Sequence, residues 1–331
     1  MAITREQIHA MASGFQSAKI ILAANELGIF RLLAGKGMSA GEVSDALNLD
    51  AEACAMLLGA LVGLNLLEYG RGKFHEAPEV KKSLGEDSDE GLSCIFRHMN
   101  HLYTSWANLD EVVKKGRGKI KATSELLSDK KINRDFICGM FEVGYPTAQK
   151  FAEEMDFTGV RKFADIGGGP GVYPIAIAKR YPDINFVIAD YPNTIKVARK
   201  YVKKYGMGKR VKLVNCPFFD TSELNIGDGF DMALLSQVLH AAPDGKAKGL
   251  LKKVFDILRP GGRIVINENA RNDDAYSPAP PLVFAINMLI QNAGRTYTIS
   301  ELKGWLRESG FRKIGARRLH ERSVLVEGTR P

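Results

Sequence analysis

The chain lacks the long apolar runs that membrane-spanning helices need. Its 331 residues contain no uncharged stretch of about 18 apolar residues, so we expect no membrane partner. The start, MAITREQIHAMASGF, includes an acidic residue and has no continuous apolar core. This excludes the pattern of a secretory signal. We therefore expect a cytoplasmic protein.

Cysteine and histidine are scarce and scattered along the chain. The four cysteines stand far apart and form no C-x-x-C pair. That spacing supports neither a zinc site nor the disulfide framework of a small secreted domain. Among the six histidines only His98 and His101 lie close together. We expect no metal cofactor.

The net charge of +8 raises the question of a nucleic-acid partner. Basic residues are spread through segments such as 111-EVVKKGRGKIK-121 and 199-RKYVKKYGMGKR-210, where apolar positions interrupt them. This distribution favours solvated helix faces over a nucleic-acid groove. We therefore expect no nucleic-acid partner.

The chain is long enough for two domains, and its pattern changes part-way. Residues 1–86 show helical periodicity, a helix–turn–helix and a hairpin, 66-LLEYGRGKFHEA-77, around two glycines. These elements predict a winged helix. Residues 87–331 begin with a helical segment, 87–155, and continue as alternating strands and helices. This alternation predicts an α/β domain with a mainly parallel sheet.

A winged helix is compatible with two different functions. In DNA-binding proteins the second helix presents Arg, Lys, Asn or Gln to base edges. Here that helix, 51-AEACAMLLGALVGLN-65, is apolar and has no basic residue. It favours packing against protein, so we expect a homodimer formed through this domain. A ligand-responsive DNA-binding regulator is the alternative hypothesis.

The stretch 163-FADIGGGPGVYPIAIAKRYPDINFVIAD-190 predicts a strand, a glycine-rich turn, a helix and a second strand. Such a βαβ unit binds nucleotides. It does not match the dinucleotide pattern G-x-G-x-x-G, because Val172 stands where the third glycine would fall. Asp165 places a carboxylate beside the loop, where it suits a cationic group. Asp190 ends the second strand and can accept hydrogen bonds from ribose hydroxyls of either NAD or adenosylmethionine.

Two later segments make the pattern specific. The segment 230-FDMALLSQVLH-240 predicts a strand opening with F-D, and 257-ILRPGGRIVINE-268 predicts a helix end, a turn and another strand. With D-x-G-x-G-x-G and the acid after it, they resemble class I S-adenosylmethionine-dependent methyltransferases. The winged helix in front extends the resemblance, from about Phe15 to Val326, to small-molecule O-methyltransferases such as the caffeate, hydroxyindole and bacterial natural-product enzymes. It implies a Rossmann-like α/β domain with a mostly parallel seven-stranded sheet.

The resemblance implies S-adenosylmethionine as the cofactor and S-adenosylhomocysteine as its product. In the family the glycine loop holds the methionine part, and the acid after the second strand holds the ribose. An acid after the third strand faces the adenine amine, but Pro217 stands at that position here. The implied cofactor-binding residues are Asp165, Gly167, Gly169, Gly171, Asp190, Phe218 and Ser236.

The family's catalytic base is a histidine after the fourth strand, here His240. Histidine can take a hydroxyl proton while the oxygen attacks the methyl carbon. Glu268 matches one of two glutamates that orient this histidine, whereas Thr296 stands in place of the other. Ala241 and Ala242 replace the usual Asp-Trp after the histidine. Either the acceptor is acidic enough to need little base assistance, or the cofactor supports a reaction other than methyl transfer.

The resemblance also implies a substrate pocket between two helices. The matching positions are aromatic, methionine or amide residues: Phe136, Met140, Asn287, Met288 and Gln291. As a group they indicate a flat, largely apolar acceptor. We therefore predict a dimeric methyltransferase that acts on a hydroxyl of a small aromatic molecule.

Overall fold

The computed structural model describes residues 3–84, 91–116, 129–274, 276–291 and 294–331. These residues form two compact units, Met1–Thr104 and Ser105–Pro331. The domain boundary predicted between residues 86 and 87 lies outside the described residues.

The first unit contains the predicted helix–turn–helix and hairpin. Its elements are α1 (Arg5–Leu27), α2 (Ile29–Leu33), α3 (Ala40–Leu47), α4 (Ala51–Gly63), β1 (Leu67–Gly70), β2 (Lys73–Glu76), α5 (Pro78–Leu84) and α6 (Ser93–Trp106), the last of which continues into the second unit. The strands β1 and β2 pair antiparallel. The predicted winged-helix order is therefore present.

Local capping explains where the helices of this unit begin. Ser39 and Glu42 form the predicted capping box at the start of α3. Asp50 caps α4 by accepting a hydrogen bond of 2.8 Å from the backbone N–H of Ala53. The core between these helices is apolar, with Leu58 and Leu61 of α4 fully buried.

Among the described residues, no single helix is both long and apolar enough to cross a membrane. The pair α3 and α4 meets that test by length and composition only when the two are taken together, and they are bent by 118°.

The second unit alternates strands and helices. Its elements are α7 (Leu109–Lys115), α8 (Lys130–Glu154), β3 (Lys162–Ile166), α9 (Val172–Arg180), β4 (Asn185–Asp190), α10 (Pro192–Lys204), β5 (Val211–Asn215), β6 (Phe230–Ser236), a 3₁₀ turn (Leu239–Ala241), α11 (Asp244–Ile257), β7 (Leu258–Glu268), α12 (Ala279–Gln291), α13 (Ile299–Glu308), β8 (Arg312–His320) and β9 (Ser323–Thr329).

One seven-stranded sheet organises this unit, in the order β5-β4-β3-β6-β7-β9-β8. The parallel pairs are β5 with β4, β4 with β3, β3 with β6 and β6 with β7, while β9 pairs antiparallel with both β7 and β8. The predicted mostly parallel seven-stranded sheet is confirmed. The predicted turn in 257-ILRPGG lies inside β7, where the pairing is irregular: Phe230 pairs with Leu258, and Met232 with Arg263.

The central strands β3, β4 and β6 are buried almost throughout, as expected for parallel strands covered on both faces, and their sequences are nearly continuous apolar runs. The edge strand β8 is largely exposed. Alternate residues face opposite sides. Phe163 packs in one cluster with α8 and α9 residues, whereas Ala164 packs in another with α11 and α13 residues.

The strand order reverses between β3 and β6, because β4 and β5 lie on one side of β3 and the later strands on the other. Parallel sheets bind ligands at the carboxyl ends of the strands beside such a switch point. The glycine loop, Asp190, His240 and Glu268 follow or end β3, β4, β6 and β7. The topology thus brings the predicted site residues to one edge.

Candidate active site

The glycine loop after β3 requires glycine for two different reasons. Gly167 has a φ of +72°, and a Cβ there would lie 2.5 Å from Val238 Cγ2. Gly169 has a φ of +54°, and a Cβ there would meet nothing within 4 Å. Left-handed backbone favours glycine at both positions. The first glycine permits close packing, and the second faces open space that a ligand can approach.

Asp190 joins the glycine loop to the end of β4. Its Oδ2 accepts a hydrogen bond of 2.8 Å from the Gly169 N–H, and its Oδ1 accepts one of 2.7 Å from the Tyr191 N–H. Burial raises the pKa of Asp190 to about 6, although these hydrogen bonds act in the opposite direction. The structure therefore brings two predicted cofactor elements together. The ribose-binding role stays a prediction.

Asp165 is fully buried at the end of β3, beneath the loop. Among the residues that the structure describes, neither of its carboxylate oxygens has a hydrogen-bond partner. Burial, and secondarily the charge of Asp190, raises the pKa of Asp165 to about 8. An unpaired buried carboxyl is costly. A cationic ligand group near it would relieve that cost.

Phe218 and Ser236 are the remaining predicted cofactor residues, and they follow β5 and end β6, respectively. Phe218 is a core residue, yet its Cζ would lie 3.3 Å from a Cβ at Gly167. Ser236 ends β6, and its hydroxyl accepts a hydrogen bond of 3.1 Å from Asn267 Nδ2. The contacts of both residues with a ligand stay predictions.

His240 and Glu268 form a buried pair, although 28 positions separate them in the sequence. His240 Nδ1 lies 2.7 Å from Glu268 Oε2. The other carboxylate oxygen, Oε1, accepts hydrogen bonds of 3.0 and 2.8 Å from the backbone N–H groups of Val238 and Leu239. Because Glu268 holds Nδ1, the imidazole presents Nε2 as its second functional atom. This geometry suits a general base.

The 3₁₀ turn that carries His240 is held from several sides. A Cβ at Gly294 would lie 1.7 Å from the His240 carbonyl oxygen, so only glycine fits there. The hydroxyl of Tyr297 lies 3.2 Å from each of the carbonyl oxygens of Leu239 and Ala242 and donates to them. Gln237, before the turn, has a φ of +56°, a conformation that is uncommon outside glycine. These contacts fix the orientation of the histidine.

Thr296, at the position of the family's second orienting glutamate, provides no carboxylate for the His240 ring. Its side chain is buried, and within the described parts of the chain its hydroxyl has no hydrogen-bond partner. Glu268 is therefore the carboxylate that the structure places on the His240 ring.

Helix α12 adds an aromatic and polar wall beside His240. The ring of Phe284 meets the His240 imidazole edge-to-face, with centroids 4.9 Å apart. Asn287 Oδ1 accepts a hydrogen bond of 3.2 Å from the Trp106 indole. Met288 and Gln291 are buried on the same helix.

Phe136 and Met140 lie one turn apart on α8 and are both partly buried. Their substrate-binding role stays a prediction.

The sequence alone does not mark Phe284, Gly294 or Tyr297 as site residues, because their contacts with the His240 turn arise only in the fold. The sequence gives a weak indication that Tyr191 belongs to the site, because Tyr191 directly follows Asp190.

Two family models match the chain. The model of the O-methyltransferase domain matches residues 106–312, and that of the O-methyltransferase dimerisation domain matches residues 10–80. The chain belongs to the O-methyltransferase family.

The methyltransferase resembles characterised enzymes over most of its length. It is 27% identical over 317 residues to 3-hydroxy-5-methyl-1-naphthoate 3-O-methyltransferase of Streptomyces sahachiroi, covering 92% of this chain and 88% of that protein. It is also 27% identical over 323 residues to acetylserotonin O-methyltransferase of Bos taurus, with coverages of 93% and 92%.

Solved structures share the fold of the methyltransferase. Human N-acetylserotonin methyltransferase, solved in complex with SAM, superposes with a TM-score of 0.88 at 22% identity, covering 100% of this chain and 98% of that chain. An O-methyltransferase family protein of Burkholderia thailandensis gives 0.86 at 23% identity, with coverages of 100% and 99%. The predicted class I fold and the predicted class of enzyme, an S-adenosylmethionine-dependent O-methyltransferase, are confirmed.

Proposed function

We propose that the methyltransferase methylates a hydroxyl of a small, flat, aromatic acceptor, with His240 as the general base and without a metal ion. The hydrogen bond between His240 Nδ1 and Glu268 carries this proposal. It leaves Nε2 to take the hydroxyl proton as the acceptor oxygen is methylated. Glu268 then stabilises the imidazolium through the same contact.

The residues at the strand ends fit S-adenosylmethionine. The unpaired carboxyl of Asp165 suits a positively charged methionine part, and the open space at Gly169 admits it beside the loop. Asp190 would hold the ribose, and Phe218 and Ser236 would contact the cofactor from the ends of the neighbouring strands β5 and β6. When bound, the cofactor supplies an electrophilic methyl group on a sulfonium. The chain's own contribution is to hold both reactants in line and to accept the proton.

An aromatic acceptor is supported by the wall that faces His240. Phe284 contacts the imidazole, and Met288 and Asn287 lie further along the same helix. A relative is named for a hydroxynaphthoate and another for acetylserotonin. Within the described residues Glu268 is the one carboxylate on the His240 ring, which further suggests an acceptor hydroxyl of low pKa, such as a phenol, because such a group needs less assistance from a base.

Calorimetric titration with S-adenosylmethionine, S-adenosylhomocysteine and NAD tests the cofactor part. We expect micromolar binding of the first two ligands and none of NAD, since the loop lacks the dinucleotide pattern. Absence of binding by both adenosyl ligands would contradict the proposal. Acceptor screening by product mass then tests the reaction, because methyl transfer requires a gain of one methylene.

A second candidate function retains the cofactor but changes the chemistry. The buried Thr296 hydroxyl, which stands where the second orienting glutamate would be, favours it. The cofactor would then assist decarboxylation, which releases carbon dioxide, or hydroxylation, which would also consume dioxygen and a two-electron reductant and release water. A product that gains oxygen or loses carbon dioxide, in place of gaining a methylene, would support this function.

We further propose a homodimer formed through the first unit, as its match to the dimerisation domain supports. Helix α1 exposes an apolar stripe of Ile8, Met11 and Phe15, whose exposed fractions are 55%, 73% and 57%. These positions share one helix face. An exposed stripe of this kind marks an interaction surface.

Replacing Phe15 with aspartate is expected to dissociate the dimer, because the charge would be buried without a partner. The particle mass measured by light scattering at micromolar concentration should fall from about twice the chain mass of 36.4 kDa towards the mass of one chain. Gln16→Asp adds the same charge at the next exposed position, beside the stripe, and should leave the mass unchanged. A Phe15→Asp variant that keeps the dimer mass would exclude this stripe as the interface.

A further inference from the structure

Two aromatic rings meet at the strand ends next to Asp190. Tyr191 follows Asp190 at the end of β4, and Phe218 follows β5; their rings meet edge-to-face with centroids 5.2 Å apart. The sheet order is β5-β4-β3. A nucleoside whose ribose lies on Asp190 and whose other end lies on the loop after β3 therefore directs its base towards the end of β5.

Pro217 cannot recognise that base through its side chain. Proline has neither a side-chain acceptor nor a backbone N–H. The segment nevertheless folds back on itself, because the N–H groups of Asp220 and Thr221 donate to the Pro217 carbonyl at 2.7 and 3.2 Å. Lys253 Nζ holds this turn by donating to the carbonyl oxygens of Phe218 and Thr221 at 2.5 and 2.8 Å. The turn therefore keeps the backbone of Asp220 beside the Pro217 carbonyl.

The carboxylate of Asp220 reaches the aromatic pair. Its Oδ2 accepts a hydrogen bond of 3.2 Å from the Tyr191 hydroxyl, and its Oδ1 accepts one of 2.6 Å from Lys246 Nζ. The side chain is half exposed. A carboxylate offers about four lone-pair sites, so acceptor capacity remains after these two bonds. The hydrogen bond from Lys246 holds the pKa of Asp220 below its usual range, which keeps the group an acceptor at neutral pH.

We propose that Asp220, held by Tyr191 and Lys246, accepts a hydrogen bond from the exocyclic amine of adenine and so replaces the acid that Pro217 lacks. This inference rests on the proposed use of an adenosyl cofactor. It assigns the selectivity for adenine to Asp220: an amine donates to a carboxylate, whereas the carbonyl oxygen of hypoxanthine is itself an acceptor and cannot donate to it. The site thereby rejects an inosyl analogue.

The affinity ratio of two ligands tests this role. Calorimetry at pH 7 compares S-adenosylhomocysteine with S-inosylhomocysteine, in which a carbonyl replaces the amine. The unmodified protein should prefer the adenosyl ligand by about 10-fold or more, as expected for a hydrogen bond to a charged group. In Asp220→Asn the amide can turn its N–H₂ towards the inosyl carbonyl, so the ratio should fall to about one. Asp220→Ala should lower the same ratio by removing the acceptor.

The control Asp256→Asn removes a similarly exposed carboxylate from α11, whose Oδ1 lies 4.0 Å from Lys252 Nζ. This variant should keep the affinity ratio of the unmodified protein. A preference that persists in both Asp220 variants overturns the assignment while leaving the proposed cofactor intact. If the unmodified protein binds neither ligand, the proposed function fails and the assignment fails with it.

Discussion

His240→Ala is expected to lower turnover about 10²–10⁴-fold while leaving cofactor affinity nearly unchanged. The imidazole is held by Glu268 at 2.7 Å and contacts Phe284 of α12, and neither residue belongs to the set proposed to bind the cofactor. Alanine removes the proton acceptor without disturbing the backbone bonds that Glu268 receives from the turn. Single-turnover rates with saturating cofactor and an accepted phenol, together with calorimetric affinity for S-adenosylhomocysteine, measure the two quantities separately.

Two further variants test whether the loss of rate in His240→Ala comes from losing the general base. Glu268→Gln keeps the shape of the partner but removes the charge that would stabilise the imidazolium, so it should lower the rate by a smaller factor than His240→Ala. The exposed His9, on α1 of the first unit, provides the control, and His9→Ala should retain the full rate. An undiminished rate in His240→Ala would show that positioning alone accelerates the reaction.

Asp165→Asn is expected to stabilise the ligand-free protein and to weaken its binding of the cofactor. Burial raises the pKa of Asp165 from 3.8 to about 8. Between these values the folded protein binds more protons than the unfolded chain, so the free energy of unfolding falls as pH rises. The contribution of the Asp165 carboxyl to the free energy of unfolding is therefore fully present below about pH 4 and is lost by about pH 8. Asparagine does not titrate and removes this dependence.

Urea denaturation at pH 5 and pH 8 measures that difference. The advantage of Asp165→Asn over the unmodified protein should grow by about 2–4 kcal/mol between the two pH values, at roughly 1.4 kcal/mol per unit of pKa shift. Affinity for S-adenosylmethionine should fall about 10-fold or more, because the charge that faces the cation is gone. Asp256→Asn, at an exposed position, should change neither quantity. A stability gain that is equal at both pH values would contradict the burial argument.

Local patterns in the sequence predict the helix caps, turns and hairpins, because these depend on residues that are close together in the chain. The capping box of Ser39 and Glu42 and the hairpin of β1 and β2 both occur where the sequence indicates them. The glycine loop is equally local, since positive φ angles at Gly167 and Gly169 follow from the turn itself. The family motifs extend this to the pairing of His240 with Glu268, which spacing alone would not reveal.

The sequence by itself therefore determined the class of fold, the class of enzyme and the strand ends at which the site residues occur. Only the tertiary structure decided which hydrogen-bond partners the polar groups of those residues have. It left the Asp165 carboxyl without a partner among the described residues, tied Asp220 to Tyr191, and placed the Tyr297 hydroxyl on the turn of His240. The physical reason is that capping, turns and periodicity act within a few residues, whereas burial and long-range hydrogen bonds depend on how the sheet order brings distant strand ends together.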